Sequence, residues 1–323
     1  MNKVSIIIPV YNQLKMTIDC LRGLLNTTEV ETEIIVVNDG SEEPVSHAIK
    51  KMFPDVNVLT NEKNLGFAKT VNRGIYASRK YNYICLLNND TILHNPRWLK
   101  IMIDNMEENN LDLTGPVGGE MDANWNYIGE VKSKEEPFQY IPGWCLLIKR
   151  EVYDDIGPMS DKFGIGFWED VLYSYIAKKE GFRLGITENT GVEHLYHKTF
   201  KAAGYDLAKE YKEKRKIFLD IINKKKFPEY LSWGYKFFQL NELTEAVRAE
   251  DFKKIDKLIS EGVDIRCCDD WVFHYACLRG KIKLVRYLET KGVDISLLHK
   301  ERRKSTLEWT KKYKQTEILD IIK

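Results

Sequence analysis

The chain of 323 residues and 37.8 kDa is long enough for one large domain and one small one. Its 49 lysines and arginines nearly balance 48 aspartates and glutamates, and the formal net charge of +1 gives no reason to expect a nucleic-acid partner. Six scattered cysteines without a CxxC pair indicate a reducing compartment. Apolar runs much shorter than the ~18 residues of a membrane span complete the prediction of a cytoplasmic protein.

Short runs rich in Ile, Val and Leu alternate with segments of helical periodicity in the first third of the chain. The predicted strands are Val4–Pro9, Glu33–Asn38, Val56–Thr60 and Tyr83–Asn88, and the predicted helices are Leu14–Leu25, Pro44–Met52, Phe67–Ser78 and Pro96–Glu107. Because continuously apolar strands between helices are buried on both faces, the pattern predicts an α/β domain with a mostly parallel sheet. In such sheets ligands bind beyond the carboxyl ends of the strands.

From residue 114 to about residue 197 the sequence becomes richer in glycine and aromatic residues. This part is expected to build the acceptor side of the binding site, which faces a second substrate. Strands are predicted at Trp125–Glu130 and Trp144–Lys149, and a helix at Trp168–Lys179. Residues 205–238 combine dense charge with an aromatic patch at Phe227–Phe238 and are predicted to form a helical connector. The predicted domains are therefore residues 1–204, the connector 205–238 and a C-terminal module 239–323.

An internal repeat occupies the C-terminal module, because Glu261–Ile265 recurs as Lys291–Ile295 at a spacing of 30 residues. The preceding helices align at the same offset: Ala246, Ile255 and Leu258 correspond to Ala276, Val285 and Leu288. The module resembles ankyrin repeats, with Phe273-His274-Tyr275-Ala276 in place of the Leu-His-x-Ala turn, and is expected to be all α-helical. It either offers a concave surface to a protein partner or packs on the larger domain.

Polar residues follow the first two predicted strands. Pro9 ends the first predicted strand and Tyr11 follows it, and Asp39 directly follows the second predicted strand. An aromatic face beside a carboxylate suits a nucleobase that carries an imide N–H group. The alternative is that Asp39-Gly40 forms only a turn.

The segment Asn64–Gly74 enters the third helix. Gly66 permits a close backbone approach, while Asn64 and Asn72 are candidates to face a ligand. The fourth strand ends in Asn88-Asn89-Asp90, where Asp90 is a candidate ligand for a divalent cation that also binds phosphate oxygens. A helix N-terminus without function and a plain turn are the respective alternatives.

A glycine-rich loop at Phe163–Gly166 leads into Phe167-Trp168-Glu169-Asp170. Carboxylates in the first turn of a helix are stabilised in the ionised form, which suits a general base, although such residues also serve as caps. His194 or His197 can complete a metal site, although a single histidine is more often structural.

In this order, the motifs resemble those of family 2 glycosyltransferases, which have the Rossmann-like GT-A fold. The resemblance covers about Lys3 to Phe200. The matching segments are Ile7–Asn12, Val37–Ser41, Asn64–Ala68, Leu87–Asp90, Gly143–Arg150, Glu169-Asp170 and the late histidine. Asn88 replaces the first aspartate of the DxD motif, as in rhamnosyltransferase-like members, which leaves one carboxylate fewer for a metal.

The resemblance implies an inverting glycosyltransferase that uses a nucleotide-diphosphate sugar and a divalent cation, Mn²⁺ or Mg²⁺. UDP-hexose or UDP-N-acetylhexosamine is the favoured donor, dTDP-rhamnose stays open, and the acceptor is a glycan, a protein or a lipid-linked molecule. The implied roles are catalytic base for Asp170, metal ligands for Asp90 and His194, donor binding for Pro9, Tyr11, Asp39, Asn64, Asn72, Asn88 and Asn89, and substrate binding for Trp144, Phe167, Trp168 and Glu169.

The alternative function is a catalytically inactive adaptor that binds nucleotide sugars and acts through its repeats. The presence of Asp90, Asp170 and His194 argues against it. A nucleotidyltransferase lacks support because no basic glycine-rich loop lies near the N-terminus. The lysine-rich runs before Phe227–Phe238 are either solvated helix faces or a peripheral membrane contact.

Overall fold

The computed structural model describes residues 2–79, 81–195 and 206–223 and, with gaps, residues 243–322. The chain divides into two compact units, Met1–Lys226 and Phe227–Lys323. The predicted aromatic patch Phe227–Phe238 and His197 lie outside the described residues. Within the described part, no helix has the length and apolar character needed to cross a membrane.

The first unit has an α/β architecture. Its strands are β1 Lys3–Val10, β2 Glu31–Asn38, β3 Asn57–Thr60, β4 Tyr83–Leu87, β5 Thr91–Leu93, β6 Leu113–Gly115, β7 Gly118–Met121, β8 Tyr127–Val131, β9 Cys145–Lys149, β10 Leu184–Ile186 and β11 Val192–His194. Its helices are α1 Leu14–Leu24, α2 Val45–Met52, α3 Phe67–Ala77, α4 Trp98–Glu108, α5 Arg150–Ile156, α6 Glu169–Lys179 and α7 Leu207–Asn223.

A seven-stranded sheet in the order β10-β6-β9-β4-β1-β2-β3 forms the centre of this unit. Strands β4, β1, β2 and β3 pair in parallel, as do β10 and β6, while β9 runs antiparallel to both of its neighbours. The prediction of a mostly parallel sheet is therefore confirmed. The parallel strands end at one edge, so the loops that follow β1, β2 and β4 meet there.

The central strands are buried on both faces, which explains their largely apolar sequence. In β1, Ile6 and Ile8 pack into a cluster with α1, α2 and α4, and Ile7 packs into a second cluster with α3, α5 and α6. All three side chains are fully buried. Helices thus cover both faces of the sheet and hold the loops at its edge in fixed positions.

Helix α7 belongs to this first unit, although its sequence predicted part of a connector. Its Phe218 is fully buried, with ring centroids 4.7 Å from Trp125 and 5.1 Å from Trp168. Arg215 donates hydrogen bonds to the backbone carbonyls of Asn124 and Trp125. The high charge of α7 is therefore compatible with one apolar face that packs on the β7–β8 hairpin.

The regular elements described in the second unit are all helical. The unit contains α8 Phe252–Ser260, α9 Ile282–Thr290, the 3₁₀ turn Ile295–Leu297 and α10 Thr316–Ile322. Helices α8 and α9 begin 30 residues apart and bury corresponding side chains, Ile255 with Leu258 and Val285 with Leu288. The 30-residue repeat is thus present in the helix register, while its ankyrin-like class stays a prediction. The repeat residues Gly262, Asp264, His274 and Asp294 lie outside the described residues.

Candidate active site

The loops after β1 and β2 are joined at the edge of the sheet. The backbone N–H of Asp39 donates to the carbonyl of Val10 at 2.7 Å, and the N–H of Asn12 donates to Ser41 Oγ at 2.7 Å. Tyr11 lies between these bonds and is half-buried. Pro9, also half-buried, pairs with Val37 one residue before the strand end. The structure thus brings the three residues predicted to hold a nucleobase into one region.

Asp39 is buried and organises the neighbouring loop. Its carboxylate accepts hydrogen bonds from Asn61 Nδ2 at 2.7 Å, from the N–H of Leu65 at 2.9 Å and from the N–H of Gly66 at 3.0 Å. A carboxylate offers about four acceptor positions, so one position remains for an N–H group of a ligand. The sequence predicts that the Asp39 carboxylate accepts a hydrogen bond from a ligand. It does not indicate the three hydrogen bonds that the carboxylate accepts within the protein.

Gly66 brings this loop against the loop that precedes α6. Its φ of 88° lies in the left-handed region, and a Cβ atom there would lie 2.1 Å from the carbonyl oxygen of Gly164. The next residue, Phe67, donates its N–H to the carbonyl of Ile165 at 3.1 Å. Asn64 is exposed, and its Oδ1 accepts from the N–H of Gly66 at 3.0 Å. The two loops therefore form one packed layer.

Asn72 fixes the loop before α6, although the sequence analysis assigned its side chain to the nucleoside. Its Nδ2 donates to the carbonyl of Met159 at 2.7 Å, and the N–H of Met159 donates to its Oδ1 at 3.0 Å. The side chain is 4% exposed, so both ends of the amide are committed inside the protein. An ion pair at 3.3 Å between Lys69 and Asp161 adds a further link between α3 and this loop.

Asp90 and His194 meet although 104 residues separate them. Strand β5 follows Asp90 directly, and β11 pairs with it in antiparallel orientation, with His194 opposite Thr91. His194 Nε2 and Asp90 Oδ1 are 3.0 Å apart, and each side chain is 6% exposed. The N–H of Leu195 also donates to the carbonyl of Asp90 at 2.9 Å. The predicted pair of metal ligands is thus assembled by strand pairing.

This pair fits a divalent cation that takes its other ligands from a substrate. His194 Nε2 and Asp90 Oδ1 are at hydrogen-bonding distance, and their separation of 3.0 Å also equals that of two neighbouring ligands about 2.1 Å from an octahedral ion. Carboxylate oxygens suit Mg²⁺ and Mn²⁺, and imidazole is a common ligand for transition-metal ions. The described residues contain no group of three or more His, Cys, Asp or Glu side chains, so phosphate and water oxygens would complete the shell.

The two asparagines before Asp90 have different surroundings. Asn89 is 5% exposed, and its Nδ2 donates to Thr17 Oγ1 at 2.9 Å, which ties the loop to α1. Asn88 is half-buried, and its N–H donates to the carbonyl of Trp144 at 2.8 Å. Of the two residues assigned to the donor, Asn88 has the more accessible side chain.

Trp144 connects this pair to the acceptor side. Its indole ring stacks on the imidazole of His194, with ring centroids 4.7 Å apart and an angle of 6° between the planes. The side chain is 8% exposed, and its Nε1 has no hydrogen-bond partner in the described part of the chain. A buried donor of this kind remains available to a ligand or to water.

Asp170 is hydrogen-bonded to the residue that precedes Trp144. Its Oδ2 accepts from the N–H of Gly143, the neighbour of Trp144, at 2.9 Å, and its Oδ1 accepts from the N–H of Val171 at 2.8 Å. Burial raises the pKa of Asp170 above its usual range, and the two N–H donors oppose this shift. The adjacent Glu169 is 6% exposed, and burial together with the Asp170 carboxylate raises the pKa of Glu169 to about 8.

The two aromatic residues before this acidic pair have unusual backbones. Phe167 and Trp168 have φ values of 72° and 76°, and two successive non-glycine residues in this region store conformational strain. Trp168 was predicted to stack on a sugar, but it is 1% exposed and packs on the rings of Tyr211 and Phe218. Phe167 is half-buried. The strained turn therefore sets the start of α6 and the position of Asp170.

Three tyrosines beside Asp170 were missed by the sequence analysis. The side chains of Tyr140 and Tyr211 lie close enough for each to affect the pKa of the other. Burial raises the pKa of Tyr127, Tyr140 and Tyr211, and the Asp170 carboxylate adds to each shift. They come from separate elements, so no local motif indicates their proximity.

A mostly parallel sheet with acidic residues beyond its strand ends fits the GT-A class of Rossmann-like α/β enzymes. Residues 5–157 match the family described as glycosyl transferase family 2. This segment is therefore similar to a family 2 glycosyltransferase domain.

Curated relatives carry the same class of name. An uncharacterized glycosyltransferase of Rickettsia bellii is 36% identical over 132 residues, which cover 41% of this chain and 19% of that protein. The chondroitin synthase of Escherichia coli is 30% identical over 118 residues, 35% of this chain and 17% of that protein. The uncharacterized glycosyltransferase EpsJ of Bacillus subtilis is 30% identical over 205 residues, 57% of this chain and 58% of that protein. The chain spans less than two thirds of each of these relatives.

Proposed function

We propose that the protein is an inverting glycosyltransferase that transfers a sugar from a nucleotide-diphosphate sugar to a hydroxyl group of a glycan. UDP-hexose and UDP-N-acetylhexosamine are the favoured donors, and the asparagine at position 88 keeps dTDP-rhamnose as the other candidate. The name of the chondroitin synthase relative supports a glycan as the acceptor. An inactive nucleotide-sugar-binding adaptor is not favoured, because the relatives are named as enzymes.

The main support is a path of direct contacts from the base to the proposed metal ligands. Asp170 accepts from Gly143, Trp144 follows Gly143 and stacks on His194, and His194 lies 3.0 Å from Asp90. Gly143 and Trp144, which directly precede β9, thus join Asp170 of α6 to the Asp90–His194 pair. A base and a leaving-group site must be this close for direct displacement between two substrates.

On the donor side, Tyr11 provides an aromatic face for the nucleobase, and the Asp39 carboxylate accepts a hydrogen bond from its imide N–H group. Pro9, Asn64 and Asn88 border the same region. Asp90 and His194 would hold the divalent cation, which when bound supplies positive charge to the diphosphate leaving group. Trp144 keeps the imidazole of His194 in position for this task.

On the acceptor side, Asp170 receives the proton of the attacking hydroxyl group. The oxygen of that hydroxyl forms a bond to the anomeric carbon while the bond from this carbon to the diphosphate breaks, so one displacement inverts the configuration. The raised pKa of Asp170 makes the carboxylate a stronger base than an exposed aspartate. The N–H groups of Gly143 and Val171 fix its orientation.

Donor hydrolysis tests this function without knowledge of the acceptor. The protein is incubated with UDP-, dTDP- and GDP-sugars, with and without Mn²⁺ or Mg²⁺, and the release of nucleoside diphosphate is followed. The proposal predicts slow, cation-dependent hydrolysis of one donor class and loss of this activity in Asp90→Ala. An adaptor without catalytic function would raise its melting temperature with the donor and release no diphosphate.

A further inference from the structure

Tyrosines from three elements come together beside Asp170, and one of them lies outside the family 2 segment. Tyr127 is on β8, Tyr140 precedes β9, and Tyr211 is on α7. The rings of Tyr127 and Tyr211 lie 5.9 Å apart with an angle of 56°, and Tyr140 and Tyr211 lie close enough for each to affect the pKa of the other. Helix α7 is thereby joined to the β7–β8 hairpin.

This group continues directly from the start of α6. The ring of Tyr211 lies 5.3 Å from Trp168 and 6.4 Å from Phe167, which precede Asp170 by two and three residues. The Asp170 carboxylate also adds to the raised pKa of Tyr127 and Tyr211, as expected for groups that lie close together. The aromatic rings therefore begin at the proposed base and lead away from it.

The group has a buried end and an exposed end. Tyr140 is 7% exposed, whereas Tyr127 is 46% exposed and its neighbour Ile128 is 58% exposed. At the buried end, Trp168 Nε1 and Glu169 Oε2 lack hydrogen-bond partners among the residues that the structure describes. The accessible aromatic surface is therefore at Tyr127, and it leads through Tyr211 to the buried start of α6.

We propose that Tyr127 and Tyr211 form an acceptor platform that binds a glycan of two or more sugar rings with its terminal hydroxyl group at Asp170. This inference rests on the proposed function and specifies the length of its glycan acceptor and the residues that bind it. The faces of a sugar ring carry C–H groups that pack on aromatic rings, while its edges carry hydroxyl groups that need polar partners. Tyr127 lies one ring farther from Trp168 than Tyr211 does, so it contacts the second sugar.

The composition of the acceptor platform favours a glycan over a lipid chain. Tyrosine combines an apolar face with a hydroxyl group, and this combination suits a ligand that is apolar on its faces and polar at its edges. A lipid chain has no polar edge to pair with the hydroxyl group of the exposed Tyr127, which would lose its contact with water on binding.

A glycan array tests the acceptor platform. The wild type is applied with UDP and Mn²⁺ to immobilised oligosaccharides and to the monosaccharide of each terminal residue. We expect retention on an oligosaccharide series and about tenfold weaker retention of Tyr127→Ala, because a truncated aromatic contact removes about that much affinity. Tyr76→Ala is the matched control, since Tyr76 on α3 is 69% exposed, and its retention should equal that of the wild type.

Two further measurements make the outcomes distinct. Tyr127→Ala should melt within about 2 °C of the wild type, because the side chain is nearly half exposed, and Tyr211→Phe should keep the retention because it keeps the ring. Equal retention of Tyr127→Ala and wild type would overturn the platform. So would a wild type that hydrolyses its donor but binds monosaccharides as well as oligosaccharides, or no glycan at all. If the wild type neither hydrolyses a donor nor melts at a higher temperature with one, the proposed function fails and the platform with it.

Discussion

The indole ring of Trp144 lies flat on the imidazole of His194, with 4.7 Å between the ring centroids. Because the same imidazole lies 3.0 Å from Asp90, the stacking fixes one side of the proposed cation site. Trp144 also follows Gly143, the donor to Asp170, so a single turn before β9 positions groups on the donor side and on the acceptor side. The geometry of this turn would therefore govern both halves of the proposed reaction.

The first prediction concerns His194. We expect His194→Ala to reduce the Mn²⁺-dependent rise in melting temperature with the donor by at least half, because one of two protein ligands is lost. His94→Ala is the matched control, since His94 lies beside the same β5–β11 pair but is 58% exposed and contacts Glu193. Equal losses in both variants, measured by thermal shift with and without Mn²⁺, would contradict the assignment.

A second prediction concerns the loop before α6. Replacing Asn72 by Ala removes two buried hydrogen bonds to Met159, which should lower the free energy of unfolding by about 1–3 kcal/mol in urea titrations. Asn64→Ala, at an exposed position, should cost less than about 1 kcal/mol. A nucleoside-binding role for Asn72 would instead weaken donor binding and leave the stability of the free protein unchanged.

Gly66 provides a third prediction. Gly66→Ala places a Cβ atom 2.1 Å from the carbonyl oxygen of Gly164 and adds strain at a φ of 88°, so we expect a clear loss of both stability and activity. Gly129→Ala is the control, because a Cβ atom there has open space. If thermal melting showed the same stability for both variants, the packing of the two loops at Gly66 would be disproved.

The raised pKa of Glu169 gives a fourth prediction. Because the folded state keeps this proton up to about pH 8 whereas an unfolded chain releases it near 4.5, the wild type should lose stability as the pH rises between these values. Glu169→Gln cannot ionise and should lose less stability over this range, so its melting temperature should exceed that of the wild type by more at pH 9 than at about pH 5. Parallel curves for the two proteins would show that Glu169 titrates normally.

Much of the first unit follows from local sequence. The apolar runs that predict Val4–Pro9 and Tyr83–Asn88 correspond to β1 and β4, because a strand buried on both faces is apolar at most positions. The direction of β9 does not follow, since the same apolar run suits a parallel or an antiparallel strand. Its antiparallel insertion between β4 and β6 brings Trp144 beside Asn88.

The candidate site likewise follows from sequence only where a local pattern marks a residue. Asp90 stands out because it follows a predicted strand, and Asp170 because it lies in the first turn of a predicted helix. Asn72 was assigned to the ligand because sequence shows that an amide is present but not which way its side chain turns. Tyr211 lies in a charged helix whose single apolar face was not separated from its polar one, so its position beside Asp170 required the tertiary structure.

Donor binding and turnover of Asp170→Asn, compared side by side, test the central claim that Asp170 is the base beside the Asp90–His194 pair. The substitution keeps the shape of the side chain and removes its ability to take a proton. We expect a donor-induced rise in melting temperature close to that of the wild type, together with a fall in sugar transfer by at least about 10³-fold. Transfer at an ordinary rate by this variant, with donor binding intact, would contradict the claim.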